Sequence, residues 1–331
     1  MKYLGLFILF FKCYYSYSQT NWNEYIENPS FELYDTCPAN VSTPGNIQLN
    51  TCLGWTIPTL ATSDYFNSCN SNTVNVPNTM LGIQSAYDGV AFCGLYLNYY
   101  SYGIEPHYRE YIQTKLKKKL TEGHIYELTF YVNIADKCGY SVKNISAIFT
   151  DNNINRNDWL AIVTTPQINS SNFITDTINW TKVTGSFIAK GEEQYLTIGN
   201  FKDTLEFGND TLCLKPNTYW QDGRGASYCY IDGINFIDRG EALLPNIFTP
   251  NDDGINDFID FKNFSVFNEF EATIFNRWGY IVFYTRDPYD LWNGKQNNNT
   301  PLNDGIYYYT INVSSTTKKT FLKGFIQLIT N

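Results

Sequence analysis

Histidine, methionine and basic residues are scarce in this chain. Its 331 residues include two histidines, two methionines and 23 lysines and arginines, against 32 aspartates and glutamates, for a formal net charge of −9. No basic patch is available to neutralise phosphates, which argues against nucleic acid as the main partner. Apolar content of 43% and aromatic content of 17% exclude wholesale disorder.

Cysteine is absent after residue 240, and the eight cysteines before it include no Cys-x-x-Cys pair. Zinc sites usually need such pairs or several histidines, and the chain has only two, so disulfides are favoured over zinc if the chain reaches an oxidising compartment. Cys13 lies in the leader segment, so seven cysteines remain, and an odd number leaves at least one thiol unpaired. Spacing alone does not fix the connectivity. Our hypotheses for local pairs are Cys37 with Cys52 and Cys213 with Cys229.

The first 18 residues have the features of a secretory signal peptide. Lys2 precedes an apolar run over residues 3–11, and residues 16–18 (Ser-Tyr-Ser) form a small-x-small cleavage pattern. Cleavage there makes Gln19 the new N-terminus. No later apolar run is long enough to span a bilayer, so we expect no transmembrane segment in the mature chain.

A turn rich in oxygen-bearing side chains lies at residues 250–257. Pro250 fixes its own φ, and Gly254, which ends the following Asn-Asp-Asp-Gly run, permits a positive φ. Hard cations such as calcium need oxygens around a sharp turn, but no glutamate stands where the twelfth position of an EF-hand would be. Two interpretations stay open, a calcium site or a capped turn between strands. Both concern Asn251, Asp253, Asn256 and Asp257.

Short apolar runs rich in aromatic and β-branched residues follow this turn. They lie at residues 270–275, 280–284, 305–313 and 321–329. Asx, Gly and Pro separate the runs, which is typical of a small antiparallel sandwich. Trp278 and Trp292 are expected in its core or on a sheet face.

An ordered set of motifs runs through the same C-terminal segment. Its residues are Pro245, Asn246, Phe248, Thr249, Pro250, Asn251, Asp253, Gly254, Asn256, Asp257, Asn276, Arg277, Trp278, Gly279, Trp292 and Gly294. In this order the motifs resemble the type B C-terminal sorting domain of the type IX secretion system, also called the gliding-motility-associated C-terminal domain. The resemblance implies export to the cell surface, with the type IX machinery as partner.

Residues 21–240 consist of short apolar segments separated by Gly, Pro, Asn and Ser. Apolar residues alternate along 125–134, which is typical of a half-buried strand. Residues 180–188 and 195–198 are also predicted strands. For 109–120 we predict a strand and a turn rather than a helix.

Five different motifs follow one another through this region. They are residues 28–32 (Asn-Pro-Ser-Phe-Glu), 54–55 (Gly-Trp), 120–130, 180–187 and 230–234 (Tyr-Ile-Asp-Gly-Ile). Together they resemble the jelly-roll, galactose-binding-like fold of carbohydrate-binding modules. In such modules the early glutamate and the late aspartate help to hold a structural calcium, which implies Glu32 and Asp232 here. Two carboxylates brought together repel unless a cation or a proton intervenes. Gly233 departs from the family pattern, which has a second aspartate there.

Carbohydrate binding would need exposed aromatic platforms, and a shared fold is only an analogy for it. The alternative for each aromatic residue is ordinary packing with a hydroxyl at the surface. The candidates are Tyr65, Phe66, Tyr96, Tyr99, Tyr100, Tyr102 and Trp220.

One compact group of acid, base and imidazole lies at residues 105–110 (Glu-Pro-His-Tyr-Arg-Glu). His107 and Glu110 are metal ligands in one interpretation, and Glu105 with Glu110 is an acid–base pair in another. In a third, Arg109 and Glu110 form a cross-strand pair. No His-Glu-x-x-His motif, nucleophile elbow or phosphate-binding glycine loop accompanies them, so we predict no catalysis.

The sequence predicts an all-β protein with three segments: a signal peptide at 1–18, a jelly-roll β-sandwich at 19–240 and a small Ig-like β-sandwich at 241–331. We expect a protein that passes through the periplasm and is secreted or attached to the outer cell surface. Its N-terminal domain would be a binding or adhesion module for polysaccharide or another surface protein, with no cofactor beyond structural calcium. The alternatives are a polysaccharide-active enzyme and a structural component of the surface or gliding apparatus.

Overall fold

A computed structural model describes residues 23–100, 108–203, 209–214, 225–251 and 253–330. Its regular structure is nearly all β, as predicted, with two short 3-10 helices at Gln48–Thr51 and Lys262–Val266 in the described part. Neither of these helices, nor any other helix of the described residues, has the length and apolarity needed to cross a membrane. The predicted signal peptide at 1–18 lies outside the described residues.

The strands of the N-terminal region end at residue 241. They are β1 (Trp55–Thr56), β2 (Asp64–Asn67), β3 (Asn78–Thr79), β4 (Gly82–Ile83), β5 (Ala91–Tyr100), β6 (Tyr111–Lys115), β7 (His124–Ile134), β8 (Tyr140–Val142), β9 (Ser146–Thr150), β10 (Ile168–Asn169), β11 (Thr181–Ile188), β12 (Tyr195–Gly199), β13 (Thr211–Cys213) and β14 (Gly225–Glu241). The strands of the C-terminal region are β15 (Ile247–Phe248), β16 (Ile259–Asp260), β17 (Glu269–Phe275), β18 (Ile281–Thr285), β19 (Leu291–Trp292), β20 (Gly305–Ser314) and β21 (Lys319–Leu328).

Two five-stranded antiparallel sheets form the N-terminal sandwich, in the orders β1-β6-β12-β9-β10 and β11-β7-β14-β5-β2. The second is called the platform sheet below. Along β7 the side chains of Tyr126, Leu128 and Phe130 are fully buried and join one core with Leu196 and Ile198 of the opposite sheet. Successive side chains of a strand point to opposite faces, so the residues between them face outward. Removing this apolar area from water, at roughly 25 cal/mol per Å², holds the two sheets together.

The C-terminal region is a smaller sandwich with its own core. Its main sheet has the order β15-β21-β20-β17-β18, and β16 pairs with β19 in a separate two-stranded sheet. Alternate residues of β20 are buried here, from Tyr307 to Val313. β15 pairs with β21 in parallel, whereas the other neighbours in the main sheet are antiparallel.

The two sandwiches meet at the end of β14. Ile125 of β7 is fully buried in the same cluster as Ala242 and Leu244, which belong to the second core. The N–H of Ala242 donates a hydrogen bond to the carbonyl of Gly123 at 2.9 Å. The first residues after β14 are therefore anchored by the N-terminal sandwich itself.

Several strands predicted from alternation are confirmed. The segments 125–134, 180–188 and 195–198 correspond to β7, β11 and β12. The segment 109–120 contains β6 and no helix, as predicted. The turn before β7 includes Gly123 at φ +77°, a conformation that favours glycine.

Both hypotheses on local cysteine pairs are wrong. Cys37 is bonded to Cys69, 32 positions away, rather than to Cys52. Cys213 and Cys229 are both free thiols. They lie in different sheets, because Cys213 is paired with Tyr140 of β8 whereas Cys229 lies in β14 opposite Leu95 of β5. Folding, rather than separation along the chain, decides which sulfurs meet.

Candidate functional site

The outer face of the platform sheet carries a row of polar and aromatic side chains. On β7 the alternation that buries Tyr126, Leu128 and Phe130 turns Glu127, Thr129 and Tyr131 to the outside. Directly paired residues share a face, so the neighbours of this row are Ser186, Thr184 and Lys182 on β11 and Ile237, Asn235 and Asp232 on β14.

Two tyrosines are stacked at one end of this face. The rings of Tyr87 and Tyr131 lie 3.6 Å apart between centroids, at an angle of 16°. A hydrogen bond with Tyr131, followed by burial, raises the pKa of Tyr87 to about 12. The pair rests on Gly233, where an added Cβ would come within 2.4 Å of the Tyr87 ring. Tyr87 nevertheless keeps 45% of its surface exposed, so the stack presents an aromatic surface to solvent.

A groove of about 310 Å³ extends from the stacked pair across three strands. Arg239 forms an ion pair with Glu127 at the far end. The remaining side chains include an ammonium, a hydroxyl and an amide. The residues that line the groove are Tyr87, Asp88, Glu127, Thr129, Tyr131, Lys182, Gly233, Asn235, Ile237 and Arg239. The groove thus combines one aromatic surface with several hydrogen-bonding groups.

The loop that carries Tyr87 is held by two carboxylates. One oxygen of Asp232 accepts hydrogen bonds from the backbone N–H groups of Tyr87 and Asp88, at 2.8 and 3.0 Å. Glu32 accepts from the N–H groups of Val90 and Ala91, also at 2.8 and 3.0 Å. Burial raises the pKa of Glu32, and it raises the pKa of Asp232 well above the usual range. Charged carboxylates there depend on these amide donors for stabilisation.

The 250–257 turn is closed by its own side chains. Both oxygens of Asp257 accept backbone N–H groups, from Asn251 at 2.9 Å and from Gly254 at 2.7 Å. Asp253 accepts the N–H of Ile255 at 2.8 Å. Gly254 and Asn256 have positive φ values of 86° and 53°. The structure therefore contains the capped turn, and calcium at Asn251, Asp253, Asn256 and Asp257 stays a prediction.

Three of the remaining C-terminal motif residues, Phe248, Trp292 and Gly294, support the second core. Phe248 stacks on Trp292 with ring centroids 5.1 Å apart, and both are buried. Gly294 has a φ of +74°, and a Cβ there would lie 3.1–3.2 Å from atoms of Leu328, Phe248 and Pro250. Trp292 is therefore in the core, as predicted. The prediction for Trp278 is wrong, because it lies in the turn between β17 and β18 with 77% of its surface exposed.

The match to a known family covers this second sandwich. Residues 242–328 match the family CHU_C, described as a Type IX secretion signal domain. Residues 242–328 are a type IX secretion signal domain. The predicted resemblance is thereby confirmed, and the chain carries an export signal of the type IX system. No curated protein matches the chain.

Solved structures similar to this chain cover the region before the secretion signal domain. The CBM22-1 xylan-binding domain of Paenibacillus barcinonensis Xyn10C is 13% identical over 67% of this chain and 97% of that domain, with a TM-score of 0.33. The K1 cleaved adhesin domain of Lys-gingipain from Porphyromonas gingivalis W83 is 12% identical over 56% of this chain and 90% of that domain, with a TM-score of 0.29. A putative sugar binding protein from Bacteroides thetaiotaomicron is 14% identical over 65% of this chain and 99% of that protein, with a TM-score of 0.28. These similarities are too distant to assign a ligand.

The calcium predicted at Glu32 and Asp232 fits the structure only in part. Carboxylate oxygens are suitable ligands for calcium, and both side chains reach the same loop, at residues 87–91. However, each carboxylate is directed to amide donors. No three His, Cys, Asp or Glu side chains of the described residues are grouped to hold a metal. Amide hydrogen bonds thus hold the loop in this structure, and calcium at Glu32 and Asp232 stays a prediction.

The four aromatic candidates whose side chains the structure describes, Tyr65, Phe66, Tyr96 and Tyr99, do not line the groove. Tyr65 and Phe66 are fully buried in the core of the N-terminal sandwich. Tyr96 and Tyr99 pack against each other and against Tyr108. The side chains of Tyr100, Tyr102 and Trp220 lie outside the described residues. Sequence reasoning missed Tyr87 and Tyr131, although the alternation along β7 already placed Tyr131 on the outer face.

Within the predicted acid–base group at 105–110, the side chain of Glu110 is not accessible to solvent. Glu110 is fully buried and accepts hydrogen bonds from Thr62 and Tyr108, each at 2.9 Å, and burial raises its pKa. Arg109 donates to backbone carbonyls, including that of Asn200 at 3.2 Å, so the cross-strand pair with Glu110 is not formed. Glu105 and His107 lie outside the described residues.

Proposed function

We propose that this protein is exported through the type IX system and binds a glycan outside the cell, on the outer face of the platform sheet. The secretion signal domain accounts for the export. The N-terminal sandwich is the part that acts after delivery, as a binding or adhesion module. It is secreted or remains attached to the outer surface.

The observation that carries this proposal is the stacked pair of Tyr87 and Tyr131 at the end of an open groove. Binding sites for small polar ligands combine aromatic surface with a few hydrogen-bonding groups that fix orientation. Sugar rings match this combination, because they have C–H faces that pack on aromatic rings and hydroxyls that hydrogen-bond. Thr129, Asn235 and Lys182 supply the hydrogen-bonding groups beside the stack.

The shape of the groove favours a chain over a small free sugar. Sites for small molecules enclose most of the ligand surface, whereas this groove lies open on the sheet and crosses β11, β7 and β14. A polysaccharide can lie along it with several rings in contact. The stacked pair then defines one subsite, and the ion pair of Glu127 with Arg239 lies at the other end.

A binding role without catalysis is supported by the position of Glu110. The side chain that the sequence offered as an acid or base is enclosed by Thr62, Tyr96 and Tyr108, away from the groove. Its hydrogen bonds connect β5 with the segments just before β6 and before β2, so the role of Glu110 is structural. Release of reducing ends from a bound polysaccharide would contradict this part of the proposal.

The experiment is a glycan screen with the full chain lacking residues 1–18. The wild type, Tyr131→Ala and Tyr87→Ala are applied to a glycan array and to insoluble polysaccharides in a co-sedimentation assay. Tyr289→Ala is the matched control, because Tyr289 is 71% exposed in the secretion signal domain. We expect binding by the wild type and the control, and loss of binding in both groove variants. Absence of any binding by the wild type, or equal binding by all four proteins, would refute the proposal.

A further inference from the structure

The C-terminal motif residues divide into two groups by what they do in the fold. Phe248 and Trp292 are buried, and Asp257 closes a turn with hydrogen bonds. Arg277 and Trp278 are exposed and contribute nothing comparable to the core of the secretion signal domain. A large exposed indole is a feature that packing of the fold does not explain.

The turn between β17 and β18 is built to present these two side chains. The side-chain oxygen of Asn276 accepts the N–H groups of Trp278 and Tyr280, both at 3.0 Å. The N–H of Gly279 donates to the carbonyl of Asn276 at 2.9 Å, and Gly279 has a φ of +82°. Asn276 and Gly279 thus fix the backbone, while Arg277 and Trp278 between them are exposed at the surface.

Arg277 lines a pocket of about 410 Å³ formed with the segment 301–307. Its guanidinium lies over Gly305, where an added Cβ would be 3.2 Å from the Nη2 atom. No carboxylate of the described residues forms an ion pair with Arg277. Asp304 also lines the pocket, but its carboxylate accepts hydrogen bonds from Thr330, which lower its pKa. Among the described residues, the guanidinium is therefore not committed to a carboxylate.

An exposed apolar surface continues from this turn over the outer face of the main sheet. Phe275 pairs with Tyr308 on one side and with Ile281 on the other, so these three side chains share that face. Ile281 is 61% exposed and Tyr308 is 50% exposed. Tyr280, next to the turn, is 72% exposed. Contiguous exposed apolar surface beside an arginine is characteristic of protein–protein interfaces, where Trp, Tyr and Arg supply most of the binding energy.

We propose that the turn of Arg277 and Trp278, with the adjoining pocket and sheet face, is the surface by which the type IX machinery binds this domain. The occupant is a protein segment with a carboxylate that pairs with Arg277 and an apolar side chain that packs on Trp278. An acidic segment is favoured because this cation has no partner of its own among the described residues. A planar guanidinium binds a carboxylate in bidentate fashion. This proposal rests on the export signal and is independent of glycan binding.

The test uses the full chain in a bacterium with a functional type IX system, and it measures the fraction that reaches the cell surface. The variants are Arg277→Ala, Arg277→Lys and Trp278→Ala. Arg286→Ala is the matched control for charge, because Arg286 pairs with Glu271, and Tyr289→Ala is the control for loss of an exposed aromatic ring. A chain lacking residues 242–328 gives the level of export without the signal.

We expect Arg277→Ala and Trp278→Ala to lower the surface fraction at least about tenfold, as loss of an interface hot spot does. Arg277→Lys should export better than Arg277→Ala, because it keeps the charge but loses the bidentate geometry. Thermal unfolding of each purified variant should match the wild type, which separates recognition from misfolding. Wild-type export of both alanine variants, with export abolished by the deletion, would overturn this proposal alone. Normal export of the deletion would instead overturn the role of the signal domain.

Discussion

The ring of Tyr87 lies on the ring of Tyr131, with centroids 3.6 Å apart and planes inclined by 16°. This contact joins a loop to strand β7 of the platform sheet. It depends on Gly233, which leaves room for both rings, and on Asp232, which holds the backbone of the Tyr87 loop. Two neighbouring residues of β14 thus position the aromatic surface of the groove.

Replacing Gly233 with alanine should separate the stacked rings. The new Cβ would come within 2.4 Å of Tyr87 and 3.1 Å of Tyr131, at a φ of +60°. We expect a loss of about 1–3 kcal/mol in the free energy of unfolding, as for other overpacked sites, and weaker glycan binding. Urea unfolding and binding assays measure the two effects. Gly123→Ala is the control, because Gly123 has a φ of +77° with nothing within 4 Å of an added Cβ. Identical binding by wild type and Gly233→Ala would show that the stack is not needed.

The disulfide between Cys37 and Cys69 should stabilise the N-terminal sandwich. It closes a loop with a sequence separation of 32, for which loss of the bond costs about 3.7 kcal/mol through the entropy of the unfolded chain. We expect Cys37→Ser to lower the free energy of unfolding by that amount, and Cys213→Ser, at a free thiol, to lower it little. Urea unfolding with and without reductant provides the measurement. A peptide map that links Cys37 to Cys52 would contradict the structure.

Stability should fall with rising pH because of the carboxylate of Asp64. Burial, and then the charge of Glu110, raises the pKa of Asp64 to about 8. In the unfolded chain the value is about 3.9. Between about pH 4 and pH 8 the folded state therefore binds more protons, and stability present below pH 4 is progressively lost as the pH rises through that window. A difference of one bound proton between the folded and unfolded states changes the free energy of unfolding by at most about 1.4 kcal/mol per pH unit.

The non-titrating variant Asp64→Asn isolates this effect. It keeps an oxygen for the N–H of Ser42, which Asp64 accepts at 2.6 Å, and it removes the negative charge near Glu110. We expect a smaller decrease in the free energy of unfolding between pH 5 and pH 8 than in the wild type. Burial also raises the pKa of Glu110, so part of the pH dependence should remain. An unchanged slope in urea unfolding would show that Asp64 does not titrate in this window.

Calcium should stabilise the chain if the sequence prediction for Glu32 and Asp232 is right. At a concentration of about 100 times Kd, a bound ion adds about 2.7 kcal/mol to the free energy of unfolding. Melting curves in calcium and in chelator measure this, and Glu32→Gln should remove the response. Asp253→Asn, in the 250–257 turn, shows whether the second candidate site contributes. Equal Tm values in calcium and chelator would show that the amide hydrogen bonds hold both segments without an ion.

The parts of the structure that sequence alone predicted are those set by local patterns. Alternation along β7 predicted a strand with one buried face, and the same pattern placed Tyr131 outside. The pairing of Tyr131 with Tyr87 cannot be predicted from the sequence, because a loop far away in sequence brings the second ring. The sequence pattern presents Gly233 only as a departure from the family's second aspartate. The bond between Cys37 and Cys69 likewise depends on tertiary folding. The position of Trp278 differs from the prediction because the composition of a segment does not show whether an aromatic residue lies in a turn or in a strand.

The most direct test of glycan binding by the platform sheet is calorimetric titration of the ligand found in the array screen. The wild type and Tyr131→Ala are compared under identical conditions, with their thermal stability measured in parallel. We predict that Tyr131→Ala raises Kd by about tenfold or more, equivalent to about 1.4 kcal/mol, while Tm changes little. A Kd for Tyr131→Ala equal to that of the wild type would contradict the assignment of the groove as the glycan site.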